Sequence, residues 1–284
     1  MREKTLFESI LGWLSSRRLR KFVADKTDWQ TVVRFRDCSF FASDQNKIEA
    51  ALLRGERHYD TNNFTAVAHF LRPGDVCFDV GANIGVYSAV FARLSGDARL
   101  VHSFEPVEHI RRKLEANAKL NGLGGLNVND FALGSEPGTL EMQQIREGHF
   151  RGGTSTLANT GVVDEIGKQH FISREVAVTT VDQYVRETGL TTVDFVKIDV
   201  EGFELEVLKG ATDTLSRFSP TMILEYDVSR IGEEAGTLRD LLSGHGYRIY
   251  EYVSFRDTLV LLPFGFDRPP IHRNILCWNP EFRR

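Results

Sequence analysis

The chain has 284 residues, of which 42% are hydrophobic, so it holds one large domain or two small ones and is not intrinsically disordered. The 35 Lys and Arg residues against 39 Asp and Glu give a net charge of −4, which disfavours a general nucleic-acid binder because such a protein needs a basic surface. No apolar run approaches the ~20 residues of a membrane span, and the widely spaced Cys38, Cys77 and Cys277 suit a reducing compartment, so we predict a cytoplasmic location.

The first 55 residues are predicted to form an extension that contains an amphipathic helix and short strands. Apolar residues between Leu6 and Leu14 recur at helical spacing, and a basic cluster follows at 17–21. The runs 32–35 and 39–41 predict two strands around a turn. Such a helix packs on its own domain, caps a homodimer or lies on a membrane surface, so the sequence leaves a dimer and a peripheral membrane contact open.

Beyond residue 70, apolar β-rich runs alternate with helical stretches. This alternation predicts an α/β domain over 56–284, with a doubly wound, mostly parallel seven-stranded sheet that ends in an antiparallel pair. An irregular region at about 134–180 reads as an insertion with its own strands, of the kind that often covers a site. The predicted strands are 76–80, 100–104, 126–131, 193–198, 221–226, 247–252 and 259–262, and the predicted helices end near 94, 120, 209 and 242.

A glycine loop follows the first predicted strand, at the position where a doubly wound sheet binds a nucleotide-like cofactor. Its sequence, Asp79-Val-Gly81-Ala-Asn83-Ile-Gly85, differs from the dinucleotide pattern G-x-G-x-x-G. Asp79 would repel a pyrophosphate, so the loop favours a ligand that lacks phosphate and carries a positive group. S-adenosylmethionine, with a sulfonium and an α-amino group, is such a ligand.

Other residues are candidates for contacts with the same cofactor. Glu105 ends the second predicted strand, where a carboxylate accepts both ribose hydroxyls in nucleotide-binding folds. Asp130, at the end of the third strand, is either an acceptor for the adenine amino group or a turn residue. Tyr59 precedes the domain core and is expected to cover the cofactor, while Asn83 orients the loop or contacts the methionine portion.

Charged residues crowd the end of the fourth predicted strand. Strand side chains alternate, so Lys197 and Asp199 share one face and Glu201 follows them. An unpaired charge in a central strand is costly, so we expect these groups to pair with each other or with a group in a site. Two acids and a lysine there predict a site at the crevice mouth, because they exceed what capping a helix N-terminus with Glu201 and Glu204 requires. Glu225 ends the fifth strand in the same layer.

Over roughly residues 59–280, the chain resembles class I S-adenosylmethionine-dependent methyltransferases of the FkbM family. The most specific segment is Lys197-Ile-Asp199-Val-Glu201-Gly202, whereas many methyltransferases share the glycine loop. The resemblance implies a Rossmann-like methyltransferase fold, S-adenosylmethionine as cofactor, and methylation of a hydroxyl on a small molecule, sugar or glycolipid. Further matching segments are Phe104-Glu105-Pro106, Ala132-Leu133-Gly134, Val178-Thr-Thr-Val-Asp182 and Ile223-Leu224-Glu225.

An attacking hydroxyl must lose its proton, which requires a nearby base. Asp199 is the first candidate for this catalytic role and Glu201 the second, although both could instead bind substrate hydroxyls. A divalent metal bridging these two carboxylates is a further hypothesis, because oxygen ligands suit magnesium. The candidate substrate-binding residues are His149, Thr154 and Ser155 in the predicted insertion, and Glu225.

Other functions are weighed against this one. A nicotinamide-dependent oxidoreductase is disfavoured by the missing G-x-G-x-x-G pattern and by Asp79. An inactive methyltransferase fold that serves as a binding module is disfavoured because Asp79, Gly81 and Glu105 are all present. A protein or nucleic-acid methyltransferase is disfavoured because D-V-E-G stands where amino-group methyltransferases carry N-P-P-[YF].

Overall fold

The structure is a computed structural model that describes residues 31–43, 47–56, 59–145, 171–255 and 258–282. Within these ranges, no helix has both the length and the apolar character that a membrane crossing requires. The predicted N-terminal amphipathic helix lies outside the described residues, so dimerisation and membrane contact through it stay predictions.

Strands and helices alternate along most of the described chain. The helices are α1 (Lys47–Leu53), α2 (Thr61–Phe70), α3 (Val86–Ser95), α4 (Glu108–Leu120), α5 (Val181–Thr188), α6 (Glu204–Lys209), α7 (Thr212–Phe218), α8 (Val228–Ile231) and α9 (Ala235–Gly244). The strands are β1 (Thr31–Phe35), β2 (Cys38–Ala42), β3 (Cys77–Val80), β4 (Val101–Phe104), β5 (Asn127–Asn129), β6 (Ala132–Leu133), β7 (Gly138–Ile145), β8 (Phe171–Thr179), β9 (Phe195–Ile198), β10 (Thr221–Glu225), β11 (Arg248–Phe255), β12 (Thr258–Pro263) and β13 (Asn274–Trp278).

The main sheet has eight strands in the order β12-β11-β13-β10-β9-β3-β4-β5. Strands β10, β9, β3, β4 and β5 are parallel neighbours, which confirms the predicted α/β class and the doubly wound arrangement. The predicted count of seven strands is wrong by one, because β13 inserts antiparallel between β10 and β11. The antiparallel hairpin β11–β12 then forms the edge of the sheet.

The central strands are buried along their whole length because helices cover both of their faces. Every residue of β3, β4 and β9 is buried. One face packs against α2, α3 and α4 and the other against α5, α6, α7 and α9, which gives two hydrophobic cores. A sheet enclosed in this way exposes only the ends of its strands, and the carboxyl ends of the parallel strands are where ligands bind.

The β1–β2 hairpin docks on α4 through asparagine side chains. Asn117 Oδ1 accepts a hydrogen bond from the Phe41 backbone N–H at 2.8 Å, and Asn121 Oδ1 accepts one from the Ser39 N–H at 2.8 Å. A buried ion pair between Lys113 and Glu49, with N–O distances of 2.9 Å, ties α1 to the same helix. The segment that leads to α2 is thereby held against the rest of the domain.

A second, three-stranded sheet has the order β6-β8-β7. The two long strands β7 and β8 pair antiparallel over their whole length and come from the predicted insertion at about 134–180. Residues 146–170, between these strands, lie outside the described residues.

Candidate active site

A cavity of about 270 Å³ opens at the carboxyl ends of β3, β4, β9 and β10. The strand order reverses direction at β3, which has β4 on one side and β9 on the other, and such a switch point is where doubly wound sheets bind ligands. Part of the lining, which we call the apolar end, consists of the glycine loop, Glu105 and apolar residues of α4, β6 and β7. Other charged and phenolic residues of the lining, which we call the polar end, are Tyr59, Asp60, Tyr87, Lys197, Asp199, Glu201, Glu225, Arg230 and Arg273.

Gly81 is required by the close approach of two loops. Its φ is +79°, and a Cβ there would lie 2.0 Å from the backbone oxygen of Asp199. The N–H groups of Gly81 and Ala82 both donate to the Phe104 carbonyl, at 3.1 and 3.0 Å, so the loop is fixed to the neighbouring strand. Gly85 lies outside the cavity lining, and its φ of +83° and close contact with Leu114 explain the glycine there.

Asp79 presents a buried carboxylate to the cavity. Its Oδ2 accepts a hydrogen bond from Ser88 Oγ at 2.5 Å, whereas its Oδ1 is buried without a hydrogen-bond partner among the described residues. Burial raises the pKa of Asp79, and the nearby Lys197 ammonium opposes that rise. A buried acceptor that lacks a partner is costly, so this oxygen suits a cationic or hydrogen-donating ligand.

Glu105 follows β4 and faces the same end of the cavity. Its Oε2 accepts from the Asn83 N–H at 2.9 Å and its Oε1 from the Val107 N–H at 3.0 Å, which fixes the carboxyl group. Burial raises the pKa of Glu105 to about 7. Each carboxylate oxygen keeps capacity for a further donor such as a ribose hydroxyl. Asn83 itself has a φ of +51°, and its backbone orients Glu105.

Lys197 and Asp199 form an ion pair, as the sequence predicts, with 2.8 Å between Nζ and Oδ2. The lysine side chain is 3% exposed and that of Asp199 is 39% exposed, so the carboxylate is the accessible partner. Burial raises the pKa of Asp199, but the charge and hydrogen bond of Lys197, a hydrogen bond with Glu225 and the charge of Arg230 together lower it by more, so the net pKa lies below the usual range. The lowered pKa favours the ionised form of Asp199, which is a hydrogen-bond acceptor in the cavity.

Glu201 and Glu225 at the polar end share one arginine. Arg230 pairs with Glu201 and lies 3.3 Å from Glu225 Oε2. Burial, followed by the negative charges of Asp199 and Glu201, raises the pKa of Glu225 well above its usual range. Glu204 instead closes the loop, because its Oε1 accepts from the backbone N–H groups of Val200 and Gly202, both at 3.1 Å.

Several residues that line the cavity are not indicated by any sequence pattern. Asp60 is the N-cap residue of α2, yet its side chain makes no capping hydrogen bond and accepts one from the Tyr87 hydroxyl instead. The Tyr87 ring in turn lies under the Lys197 ammonium, 4.5 Å from Nζ to the ring centroid. Arg230 and Arg273 also line the cavity, although they are distant along the chain from Asp60 and Tyr87. An aspartate directly before a helix is usually interpreted as an N-cap residue. The sequence pattern therefore gives no sign that Asp60 lines the cavity.

Some predicted site residues are not brought to the cavity. Asp130 is exposed and does not line the cavity. His149, Thr154 and Ser155 lie outside the described residues, so their role stays a prediction. The hypothesis of a metal bridging Asp199 and Glu201 gains no support, because the described part of the chain contains no group of three His, Cys, Asp or Glu residues placed to hold an ion.

Comparisons with known proteins bear on this cavity. Residues 79–249, more than half of the chain, match the family model described as the methyltransferase FkbM domain. The 31-O-demethyl-FK506 methyltransferase FkbM of Streptomyces tacrolimicus is 30% identical over 200 residues, which cover 63% of this chain and 75% of that protein. The AMB antimetabolite synthetase AmbE of Pseudomonas aeruginosa is 30% identical over 209 residues, 63% of this chain but 10% of that much longer protein. A crystal structure of a methyltransferase FkbM from Methylobacillus flagellatus gives a TM-score of 0.45 with 16% identity and covers 75% of this chain and 50% of that one.

Proposed function

The chain belongs to the family of FkbM methyltransferases, and on that premise we propose that it transfers a methyl group from S-adenosylmethionine to a hydroxyl of a small molecule, sugar or glycolipid. The observation that carries the proposal is one cavity with two carboxylates, Asp79 and Glu105, at its apolar end and a set of paired acids at its polar end. The name of the Streptomyces relative describes a compound that lacks an O-methyl group, which favours oxygen as the methyl acceptor.

The apolar end fits S-adenosylmethionine. The unpartnered Asp79 Oδ1 suits a cationic group, and Glu105 has room to accept ribose hydroxyls. Apolar residues beyond Glu105 offer a dry surface for the adenine ring: Pro106, Ile110, Ala132, Leu133 and Met142. The same Asp79 carboxylate would repel the pyrophosphate of NAD, which makes the oxidoreductase the weaker candidate.

The polar end suits a hydroxylated acceptor. When bound, S-adenosylmethionine supplies a methyl group on a sulfonium, from which an in-line nucleophile displaces it. The chain's own residues have to align the acceptor hydroxyl and remove its proton. Asp199, held ionised by Lys197, accepts a hydrogen bond from the acceptor and orients it, and Glu201 and Glu225 contact further hydroxyls. The cysteine pattern favours a reducing compartment such as the cytoplasm for this reaction.

Ligand-induced stabilisation tests the cofactor assignment. We expect S-adenosylmethionine and S-adenosylhomocysteine to raise the melting temperature, because a ligand at 100 times its Kd stabilises by about 2.7 kcal/mol. Glu105→Ala should abolish the shift, whereas Glu108→Ala, at an exposed position in α4, should keep it. A shift with NAD+ alone, or equal S-adenosylhomocysteine affinity in Glu105→Ala and wild type, would contradict the assignment.

A transfer assay tests the reaction. Labelled S-adenosylmethionine is incubated with free sugars, glycolipids and hydroxylated macrolides, and the label is followed into each compound. We expect transfer to an oxygen of one of these classes. Asp199→Ala should bind S-adenosylhomocysteine nearly as wild type does and lose turnover.

A further inference from the structure

Four carboxyl groups line the polar end of the cavity, and their pairing differs. Asp199 is held by Lys197 at 2.8 Å, and Glu201 and Glu225 share Arg230. Asp60 is held by neutral donors: the Tyr87 hydroxyl and the side-chain amide of Asn63. None of the ion pairs among the described residues includes Asp60.

We propose that Asp60 is the catalytic base, which takes the proton of the acceptor hydroxyl, and that Tyr87 is the positioning residue that aims its carboxylate. The proposal rests on the methyl transfer proposed above and concerns the same cavity. Asp60 thereby takes over the proton transfer for which the sequence suggests Asp199, while Asp199 keeps the role of orienting the acceptor.

The backbone presents Asp60 to the cavity at a cost. Its φ of +51° and ψ of 31° lie in the left-handed region, which a residue with a Cβ adopts with strain. The N-cap position would reward a side chain that turns back to the helix, yet this carboxylate turns away and accepts from Tyr87. The left-handed backbone and the hydrogen bond from Tyr87 together keep the carboxylate where it lines the cavity.

The electrostatic surroundings give Asp60 the proton affinity that Asp199 lacks. Burial raises the pKa of Asp60, and the Tyr87 hydrogen bond and the more distant Lys197 only partly offset it. The ammonium in contact with Asp199 lowers the pKa of that carboxyl instead. The titratable and charged groups around Asp60 are Arg36 in the β1–β2 turn, Tyr59 beside it, Tyr87 in α3, Lys197 and Asp199 at the end of β9, and Tyr252 in β11.

The proposed step balances without any further reactant. The acceptor oxygen forms its bond to the methyl carbon while the carbon–sulfur bond breaks, and the electron pair of that bond stays on sulfur. The proton of the hydroxyl passes to a carboxylate oxygen of Asp60. The products are a methyl ether, S-adenosylhomocysteine and a protonated Asp60, which returns its proton to solvent.

Asp60→Asn tests the role of the carboxylate, because asparagine has the same shape and tolerates the left-handed backbone. We expect kcat to fall at least 100-fold on the acceptor that wild type methylates, within the range known for loss of a general base, with the Kd for S-adenosylhomocysteine unchanged within about twofold. Asp37→Asn is the matched control, since Asp37 is also left-handed, with a φ of 60°, but lies in the exposed β1–β2 turn. Equal kcat values for Asp60→Asn and Asp37→Asn would overturn the proposal.

Tyr87→Phe tests the positioning role by a pH profile. The ring and its contact with Lys197 remain, and only the donor to Asp60 is lost. A donated hydrogen bond favours the ionised carboxylate, so its loss raises the pKa of Asp60 and should move the acidic limb of kcat to higher pH. An acidic limb at the wild-type pH in Tyr87→Phe would overturn the positioning role.

Carboxyl titration followed by NMR needs no acceptor. With 13C-labelled aspartate and S-adenosylhomocysteine bound, the Asp60 resonance, assigned by its loss in Asp60→Asn, should titrate above the ordinary pKa range of aspartate and move further up in Tyr87→Phe. Titration of Asp60 within the ordinary range would overturn the inference. Failure of wild type to bind S-adenosylhomocysteine would instead overturn the proposed function, so the two failures are distinct.

Discussion

Lys197 and Asp199 form an ion pair at the carboxyl end of one strand. The Lys197 ammonium is buried, and the Asp199 carboxylate oxygen 2.8 Å away is open to the cavity. The side chains share a face because they are two residues apart on β9. Lys197 also lies across β3–β9 from Asp79, which is its register partner. One buried cation therefore balances acids at both ends of the site.

Replacement of Lys197 by methionine should destabilise the fold by about 3–5 kcal/mol, the usual cost of removing one partner from buried charges. In this variant the folded-state pKa values of Asp79 and Asp199 should rise above their unfolded values, so the folded variant binds more protons than the unfolded one. Its free energy of unfolding should therefore fall as pH increases. Urea unfolding at pH 5.5 and 8 measures both effects. Lys209→Met is the control, since its surface pair with Glu206 contributes at most about 1 kcal/mol.

Gly81→Ala should be far more damaging than Gly74→Ala. Both glycines have positive φ, +79° and +92°, so each alanine carries a backbone penalty of about 1–2 kcal/mol. At position 74 the new Cβ meets nothing within 4 Å, whereas at position 81 it meets the Asp199 carbonyl oxygen at 2.0 Å. Urea denaturation and the yield of folded protein compare the two variants. Equal destabilisation would contradict the prediction, because it would mean that the Gly81 loop can move away from Asp199 at no cost.

Cofactor affinity should depend on the ionisation of Glu105. Its pKa is raised to about 7 by burial, and an ionised carboxylate accepts ribose hydroxyls best. The Kd for S-adenosylhomocysteine should therefore decrease as the pH rises from 6 to 8. Calorimetric titration at these pH values checks this. Glu105→Gln should bind S-adenosylhomocysteine more weakly at pH 8, and its Kd should depend much less on pH. An unchanged pH dependence in this variant would assign the effect to another group.

His102 should make the fold acid-sensitive. Its Nδ1 lies 2.7 Å from the Tyr184 hydroxyl, its Nε2 is buried without a partner among the described residues, and burial lowers its pKa to about 4. Between this value and the ordinary 6.5, the unfolded chain binds the extra proton, so stability should fall as pH decreases, by about 3 kcal/mol in all. His102→Gln should unfold with a smaller difference between pH 7 and 4. Parallel slopes in wild type and variant would contradict the assignment.

Local patterns predict most of the sheet and one end of the site. Short runs rich in apolar residues mark β3, β4 and β9, because helices cover both faces of these strands. The glycine loop, Glu105, and the pair of Lys197 with Asp199 follow from strand ends and side-chain alternation, which need no knowledge of distant segments.

The missed features depend on contacts between distant segments. Nothing in the short run of β13 reveals that it separates β10 from β11. Tyr87 reads as a core aromatic and Asp60 as a helix cap, and only the folded chain joins the phenol to the carboxylate. Arg230 reaches the site because α8 follows β10 directly.

The insertion of β13 has a consequence for biosynthesis. Strands β10 and β11 leave the ribosome before Asn274–Trp278 does, and until then each lacks the neighbour on one of its two edges. The nascent chain therefore displays open apolar strand edges, the kind of surface that chaperones cover. Because Glu225 pairs directly with Asn274, the polar end of the cavity is completed only after β13 has been translated.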